Sequence, residues 1–482
     1  MDGWMFCFFR PPWWKGHLLL LINRYVRKTR DLALEREIAD PDHKSLDGLG
    51  LAETRFVDLS APYTQRLRDL SSFLKLDVQD ISDKLRDHLT TSFLMIYTNF
   101  KMVISIPGFL LIFLLPSMSL ASAVLFGKTP KDGYNENDVK VTYIVLWCTT
   151  LLGVLQFLAS PCCWGAYIFL TTAAQHNLIS FSARRIKPTK LMKFLGIMGF
   201  SDYINKHCYI EKEGEPSCLE VINFVVEHVK NGWKHYIVDG ASYKRFNNLR
   251  GQWTMARSNI CNSQLLWSFW VPFDQSILVW HVATELCLHH PKTSTADVPD
   301  RQSSARRCSK VISNYMIYLL LIRPEMLLPG SRQGIFTVTS DDIEVMLKHA
   351  NGPPLLDRRS ITERILRAAQ TSPSPNAGYI GIWTLKACKL AEDLMELLGD
   401  EERWEVIRDV WVEMLCYSAG RCRGYLHAKS MGEGVEFLTF IWLLLSQMGM
   451  QTLADMFQRA EPTEFEEIDA SNSVSESQDM PI

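Results

Sequence analysis

Two strong signals are missing from this sequence: a large net charge and a catalytic motif. Lys and Arg number 51 against 53 Asp and Glu, so the formal net charge is only -2. A chain this close to neutrality has no overall attraction for polyanions, and we expect no nucleic-acid partner. No G-x-S-x-G elbow is present to frame a nucleophile. Any functional signal must therefore be local.

The sequence also lacks paired cysteines. It contains 12 Cys, but they are scattered and no two form a CxxC pair. Without such spacing neither a zinc ribbon nor a disulfide framework is indicated, and reduced thiols of an intracellular protein are expected. No motif predicts a cofactor.

Long uncharged runs are what the chain does have. Met102 to Phe126 contains no charged residue, and at ~1.5 Å per residue this run exceeds the ~30 Å core of a bilayer. A second uncharged run, Val141 to Ala174, is divided by Pro161 and predicts a span over Val141 to Ser160. The two runs predict a transmembrane hairpin. The alternative is a pair of buried core helices in a large soluble protein.

Basic residues flank the predicted hairpin on both outer sides, whereas the connecting loop balances its Lys with Asp and Glu. The positive-inside rule then places both ends of the hairpin on the cytoplasmic side. We therefore expect an integral membrane protein, with the lipid bilayer and an unknown protein as partners. The flanking basic residues are Lys84, Arg86, Lys101, Arg184, Arg185, Lys187, Lys190 and Lys193.

Beyond Lys193 apolar residues recur at helical spacing, as in Ile222, Val225, Val226 and Val229. The predicted fold class is mainly α, a two-helix transmembrane hairpin followed by a helical cytoplasmic domain. The last 22 residues hold seven acids and no Lys or Arg, too polar to bury themselves. The expected divisions are an N-terminal cytoplasmic segment (1–92), the hairpin (93–175), a helical cytoplasmic part (176–330), a linker region (331–378), a C-terminal helical domain (379–458) and a disordered acidic tail (459–482).

One stretch offers candidate metal ligands. On a helix, His281, Glu285 and His289 of WHVATELCLHH lie at four-residue steps and share one face. The outer pair are too far apart for one zinc ion, and His289 adjoins Pro291, where the helix should end. The alternative is that His281 and Glu285 form hydrogen bonds inside the domain.

Residue spacing argues against two further functions, nucleophilic hydrolysis and nucleotide binding. Ser276 with His281, or Cys422 with His427, could supply a nucleophile and a base, but no local frame adds an orienting group and an oxyanion site. In the segment RGYLHAKS at 423–430, the final Lys429 and Ser430 match the end of a phosphate-binding loop. The segment lacks the required glycines and the preceding strand.

Four stretches carry a family resemblance. They are DVKVTYIVL (138–146), FDQSILVWHVATELC (273–287), ISNYMIYLLLIRPEML (312–327) and CYSAGRCRGYLHAKSMGEGVEFLTFIWLLLSQMG (416–449). In this order they resemble a family of plant membrane proteins with domain of unknown function 4220 and C-terminal domain of unknown function 594. Nothing before Phe93 resembles the further spanning helices of that family, and Val435 interrupts its Gly-Gly-Glu motif.

The resemblance implies an architecture and a plant source but no chemistry, because the family has no assigned activity. We expect a membrane-anchored interaction or scaffold module without enzymatic activity. The first alternative is a metal-dependent enzyme using His281 and Glu285, and the second is a transporter-related membrane protein. The family-signature residues are Ser276, Trp280, His281, Glu285, Arg421, His427, Lys429, Glu436 and Trp442.

Overall fold

A computed structural model describes residues 22–32, 55–74, 76–97, 106–130, 133, 135–158, 173–186, 211–213, 215–258, 263–291, 304–332, 334–349, 357–371, 381–432 and 436–456. The first 21 residues, most of the interdomain Ser/Thr-rich segment at 292–303 and the acidic tail at 459–482 lie outside these ranges. The expectations for those segments stay predictions.

The described chain is mainly helical, which confirms the predicted fold class at that level. In chain order the helices are α1 (22–32), α2 (Tyr63–Phe73), α3 (Val78–Tyr97), α4 (Ile106–Lys128), α5 (Glu136–Leu158), α6 (Leu178–Ile186), α7 (Glu215–Asn231), α8 (Gly240–Phe246), α9 (Gln252–Arg257), α10 (Ser263–Trp270), α11 (Phe273–Leu288), α12 (Ser304–Ile322), α13 (Pro324–Leu327), α14 (Gly334–His349), α15 (Arg358–Thr371), α16 (Ile382–Leu397), α17 (Asp400–Arg421), α18 (Gly424–Gly432), α19 (Phe437–Gln447) and α20 (Leu453–Met456).

Two short strands and one π-helical turn complete the described elements. β1 (Ala173–Gln175) pairs antiparallel with β2 (Glu211–Glu213), and the π-helical turn Gly232–Tyr236 continues α7. The described residues form two compact units. The larger takes in those within 1–83, 171–427 and 436–482, and the smaller those within 84–170 and 428–435.

Helix α11 is the centre of the larger unit. All of its residues are buried, and it packs against α12 and α16. A helix that is apolar around most of its circumference must be enclosed by other helices. Helix α12 ends at Ile322, before Pro324, because proline cannot continue the hydrogen-bonding ladder.

Helix α17 is the second long buried element. It begins with Asp400, Glu401 and Glu402, whose charges favour a helix N-terminus. The spacing of its apolar residues predicts a helix from Glu401 to Cys422, and the observed limits lie one residue from these. The aromatic stripe read from the sequence is buried, with Trp404 and Trp411 1% exposed or less. It packs against α7, α12 and α19.

The region 331–378, expected as a linker, contains α14 and α15. Ile343 and Leu347 of α14 are buried, as is Ile365 of α15. Pro- and Gly-rich stretches in this region predict turns, and for that reason a linker was expected. The apolar residues between those stretches recur at helical steps and form the two helices.

The connection between α17 and α19 also differs from expectation. The cluster of charged residues between Arg421 and Glu436 predicts a turn that joins two helices, but α18 occupies most of that turn. Gly424 opens α18 where a side chain would collide with the backbone of Arg55 and Phe56. The uncharged run Phe437 to Met450 is too short to cross a bilayer and predicts a core helix. Helix α19 lies within this run and is buried throughout.

In the smaller unit α4 and α5 pack against each other as the predicted helical hairpin. Ser119 Oγ lies 2.9 Å from Thr150 Oγ1 and 3.1 Å from Thr149 Oγ1. Phe126 and Tyr143 make an edge-to-face contact at 5.1 Å between ring centroids. By length and hydropathy, none of the helices in the described ranges qualifies as a membrane span. The transmembrane part of the predicted fold class is therefore not supported by this finding.

Candidate functional site

The carboxylate of Glu436 is the centre of a buried cluster between α12 and α19. Tyr318 OH donates to Glu436 Oε1 at 2.9 Å and Tyr315 OH to Oε2 at 3.3 Å. Arg323 Nε lies 2.9 Å from Oε1. Burial and the nearby carboxylate raise the pKa of both tyrosines, so their hydroxyls stay protonated. Tyr315 OH also accepts the backbone N–H of Leu438 at 2.7 Å, which fixes the start of α19.

His427 lies against the next turn of α19. Its Nδ1 is 3.0 Å from Thr439 Oγ1, and its ring stacks on Trp442 with 4.4 Å between centroids. Burial lowers the pKa of His427 to about 3, so the imidazole is neutral at physiological pH. His427 therefore joins α18 to α19 by packing and hydrogen bonding.

The other two basic signature residues lie apart from this cluster. Arg421 is half-buried at the end of α17, with its guanidinium 5.2 Å from the ring centroid of Tyr417. Lys429 belongs to the smaller unit, where its carbonyl accepts from Tyr97 OH at 3.3 Å.

The polar residues at 421–436 predict a charge network that closes the turn before α19, with a docking surface for an acidic partner or lipid headgroups as the alternative. Glu433 of this set is outside the described residues. His427 and Glu436 are buried, whereas Arg421 is half-buried and Lys429 is exposed.

The signature residues of α11 are held by internal hydrogen bonds. Ser276 Oγ donates to the carbonyl of Ser268 at 2.7 Å, and Trp280 Nε1 donates to Ser268 Oγ at 3.1 Å. These bonds fix α10 on α11. Neither side chain reaches the surface, since both are completely buried.

His281 uses both ring nitrogens. Nε2 accepts the backbone N–H of Leu178 at 3.2 Å, so Nδ1 carries the proton and donates to Ser313 Oγ at 2.8 Å. Burial, together with His176, lowers its pKa to about 3. The imidazole therefore joins α6, α11 and α12, and it could bind a metal only by giving up one of these bonds.

The remaining candidate metal ligands are placed differently. Glu285 is buried with its Oε2 3.9 Å from Arg358 Nη1. His289 caps the C-terminus of α11, and burial lowers its pKa to about 4. In the ranges the structure describes, no three or more His, Cys, Asp or Glu side chains are arranged to hold a metal ion.

Sequence reasoning missed a further buried acid, Glu413 of α17. Its Oε1 accepts the backbone N–H of Thr254 at 2.7 Å and Thr254 Oγ1 at 2.6 Å, and its Oε2 accepts the N–H of Gly251 at 2.5 Å. Glu413 thereby caps the N-terminus of α9. Burial raises its pKa to about 7 despite these bonds. The helical period marks the aromatic face of α17, but no local pattern shows that the opposite face is enclosed too.

Two cavities adjoin the helix pair α7 and α17. A water-sized cavity of about 20 Å³ is lined by Glu413, Cys416 and His228 among others. On the other side of His228 lies a polar cleft of about 320 Å³ between α7, α9 and α17. The cleft is of the size that holds a small ligand.

Part of the chain that contains these contacts matches a known family. Residues 396–450 match the family described as Protein of unknown function, DUF594. The match covers α17, α18 and α19, and it confirms the C-terminal part of the resemblance seen in the sequence. No curated protein and no solved structure matches the chain.

The DUF594 segment contains Glu413, Arg421, His427, Lys429, Glu436 and Trp442. In the larger unit, its polar side chains bond to helices outside the matched range. Trp411 Nε1 donates to Thr284 Oγ1 of α11 at 3.0 Å, and Ser418 Oγ donates to the carbonyl of Leu327 at 2.7 Å. The segment is therefore built into the helical core.

Proposed function

We propose that this chain is a membrane-anchored interaction module without enzymatic activity, attached to a bilayer through α4 and α5. The observation that carries the proposal is the distribution of side chains on this helix pair. Its described contact combines hydroxyl and small side chains with one aromatic pair, Phe126 and Tyr143, whereas most of the large apolar side chains that the structure describes on these helices are exposed. The exposed apolar residues are Leu114, Met118, Leu120, Val124 and Leu125 of α4 and Val141, Ile144, Val145, Trp147, Leu151, Leu152 and Leu155 of α5.

This arrangement is the reverse of a water-soluble hairpin. Ser119, Thr149 and Thr150 bond across the contact, and Ala123 is buried in the same helix pair. Helices that associate in lipid use small and hydroxyl residues at their contact, because lipid removes any hydrophobic drive between them. In water, an apolar surface of this extent marks a binding face.

The cytoplasmic side is proposed for both ends of the hairpin. A short polar connection at 129–135 joins α4 to α5, so the two outer ends lie on the same side of the bilayer. The basic residues that flank the hairpin in sequence support the cytoplasmic assignment. The proposal requires the apolar faces to be embedded in lipid, and it does not require either helix to cross.

The absence of enzymatic activity is proposed because the signature residues form contacts inside the fold. His281, Ser276, Trp280 and Glu436 are buried and hydrogen-bonded within the fold, which favours a structural role for the sequence signature. The first-domain resemblance, to domain of unknown function 4220, and with it a plant source, remain part of the proposal.

Alkaline carbonate extraction of the full chain tests the anchor. We expect the protein to stay in the membrane pellet, and the double variant Leu125→Glu/Leu152→Glu to move to the soluble fraction, because each carboxylate costs about 2 kcal/mol or more in hydrocarbon. Val338→Glu/Leu397→Glu is the matched control, since these side chains are exposed in the larger unit. Recovery of the unmodified chain in the supernatant would overturn the proposal.

Cys148 gives an independent readout on the same membranes. It is an exposed free thiol on α5. We expect it to be protected from a membrane-impermeant maleimide in intact vesicles and to react after detergent is added, as measured by mass-spectrometric peptide mapping. Equal labelling before and after detergent would show that this face of α5 meets water.

A further inference from the structure

The polar cleft between α7, α9 and α17 carries an excess of negative charge. Its walls include Glu227 on α7 and Glu402, Glu405 and Asp409 on α17, against Arg257 and Arg408. Four acids and two bases leave a formal charge of -2 within about 320 Å³.

Both arginines of the cleft are already engaged. Arg257 Nη2 lies 2.5 Å from Asp409 Oδ2, and Arg408 Nε lies 2.8 Å from Asp409 Oδ1. Each guanidinium also covers an aromatic ring, Arg257 over Trp253 and Arg408 over Phe224. Neither is placed to attract an anion, because each already has an anionic partner and a ring to stack on.

The three glutamates of the cleft come from two different helices. Glu227 is on α7, and Glu402 and Glu405 are on α17. All three are exposed, and within the described residues none makes an ion pair or a hydrogen bond. Phe224 of α7 and Val406 of α17 also line the cleft and make part of its surface apolar.

His228 is the second, independent sign of a ligand. Its side chain is 9% exposed and lines the cleft. Its ring packs against Phe246 and Trp253, but its nitrogens form no hydrogen bond in the described part of the chain. Burial, with Arg257 adding to it, lowers the pKa of His228 to about 3. A neutral imidazole can accept a hydrogen bond from a cation without repelling it.

We propose that this cleft binds a small aliphatic diamine or polyamine, with one ammonium group on the Glu227 wall, another on the Glu402 and Glu405 wall, and one of these ammonium groups donating a hydrogen bond to His228. Ammonium groups match the carboxylates on α7 and α17, and an aliphatic spacer matches the apolar part of the lining. A divalent metal ion fits less well, since the described side chains contain no group of three or more metal ligands. The inference is independent of the membrane anchor.

Isothermal titration calorimetry on the full chain in detergent tests the cleft, with 1,4-diaminobutane as the probe. We expect saturable binding that weakens as salt rises, because exposed charges are screened. Glu227→Gln and Glu402→Gln should each weaken binding about threefold, and the double variant about tenfold. 1-Aminobutane should bind more weakly than the diamine, because it can satisfy only one wall.

His228→Phe separates a binding role from a packing role. It keeps an aromatic ring beside Phe246 and Trp253 but removes the nitrogens, so binding should weaken about threefold to tenfold while the unfolding midpoint stays close to that of the unmodified chain. If this variant binds the diamine as tightly as the unmodified chain, the role assigned to His228 is overturned.

Glu401→Gln is the matched charge control, because Glu401 is exposed on α17 but does not line the cleft. It should leave binding unchanged. Equal weakening by Glu401→Gln and Glu227→Gln would show nonspecific attraction and overturn the site. Tighter binding of magnesium chloride or of succinate than of 1,4-diaminobutane would overturn the ligand class.

Discussion

At the scale of single residues, the larger unit contains several buried histidines that are neutral at physiological pH. The histidines at 176, 228, 281, 289 and 427 have pKa values lowered to about 3 or 4 by burial. Their contribution to stability is complete above pH ~6.5 and is lost as pH falls towards those values. Glu413 behaves in the opposite sense, because burial raises its pKa.

As pH rises from acidic values towards neutrality, Glu413 should make the folded state less stable. Its pKa is about 7 in the fold against 4.5 for a free side chain, so between these values the folded state holds one more proton than the unfolded state. The difference corresponds to roughly 3 kcal/mol of stability lost between pH 4.5 and 7. Glu413→Gln should remove this loss, as measured by urea unfolding at pH 5 to 8.

Glu396→Gln supplies the control for that series, because Glu396 is exposed near the end of α16. It should leave the pH dependence as it is in the unmodified chain. The Glu413 assignment is wrong if Glu413→Gln and the unmodified chain lose stability in parallel across this range.

His427 should matter for stability rather than for any reaction. His427→Ala removes the stacking on Trp442 and the hydrogen bond to Thr439, and it leaves a cavity in the core, which together cost about 2–4 kcal/mol. Tyr425→Ala on the same helix is the control, since Tyr425 is 53% exposed and its loss should cost less than about 1 kcal/mol. Chemical unfolding monitored by tryptophan fluorescence measures both, and equal effects would contradict the assigned role.

At the scale of elements, the sequence predicted helices with a clear apolar period well, and helices next to turn residues poorly. The limits of α17 and the Pro324 stop of α12 could be read from periodicity and proline chemistry. Helices α14, α15 and α18 could not, because each is short or bounded by turn residues and is stabilised mainly by tertiary burial. The Glu436 cluster was equally hidden, since its members are separated by more than a hundred residues.

Gly424 shows why α18 depends on one small residue. A methyl group at this position would overlap the carbonyl oxygen of Arg55 and lie 2.9 Å from the carbonyl carbon of Phe56. The N–H of Gly424 donates to Asp58 Oδ1 at 2.6 Å, so the backbone cannot move away without losing that bond. Gly424→Ala should therefore destabilise the fold by about 1–3 kcal/mol.

Gly334→Ala is the matched control for this substitution. Gly334 also opens a helix, and no atom lies within 4 Å of an added methyl group. The change should be neutral or stabilising by up to about 1 kcal/mol. Thermal unfolding of both variants compares them, and equal midpoints would show that the backbone near Arg55 yields without cost.

At the scale of the whole molecule, the DUF594 segment is one part of a shared core. Helix α17 packs against α7 and α12, and Glu413 caps α9. The Glu436 carboxylate is held by α12 and Arg323. All of these partners lie before residue 396, outside the family match. The family match therefore covers only part of a core that also includes α7, α9 and α12.

The fragment 379–458, which the sequence predicted as a separate domain, should not fold alone. Cutting before residue 379 would expose Trp404 and Trp411 and leave the carboxylates of Glu413 and Glu436 without the backbone and side-chain donors that hold them. We expect the fragment to show helical circular dichroism without a cooperative unfolding transition. Adding a chain of residues 171–378, which carries α7, α9 and α12, should restore that transition, because it returns those partners. A fragment that unfolds cooperatively by itself, with a midpoint near that of the full chain, would show that α17, α18 and α19 carry enough core of their own, and the helices before residue 396 would then be secondary to its stability.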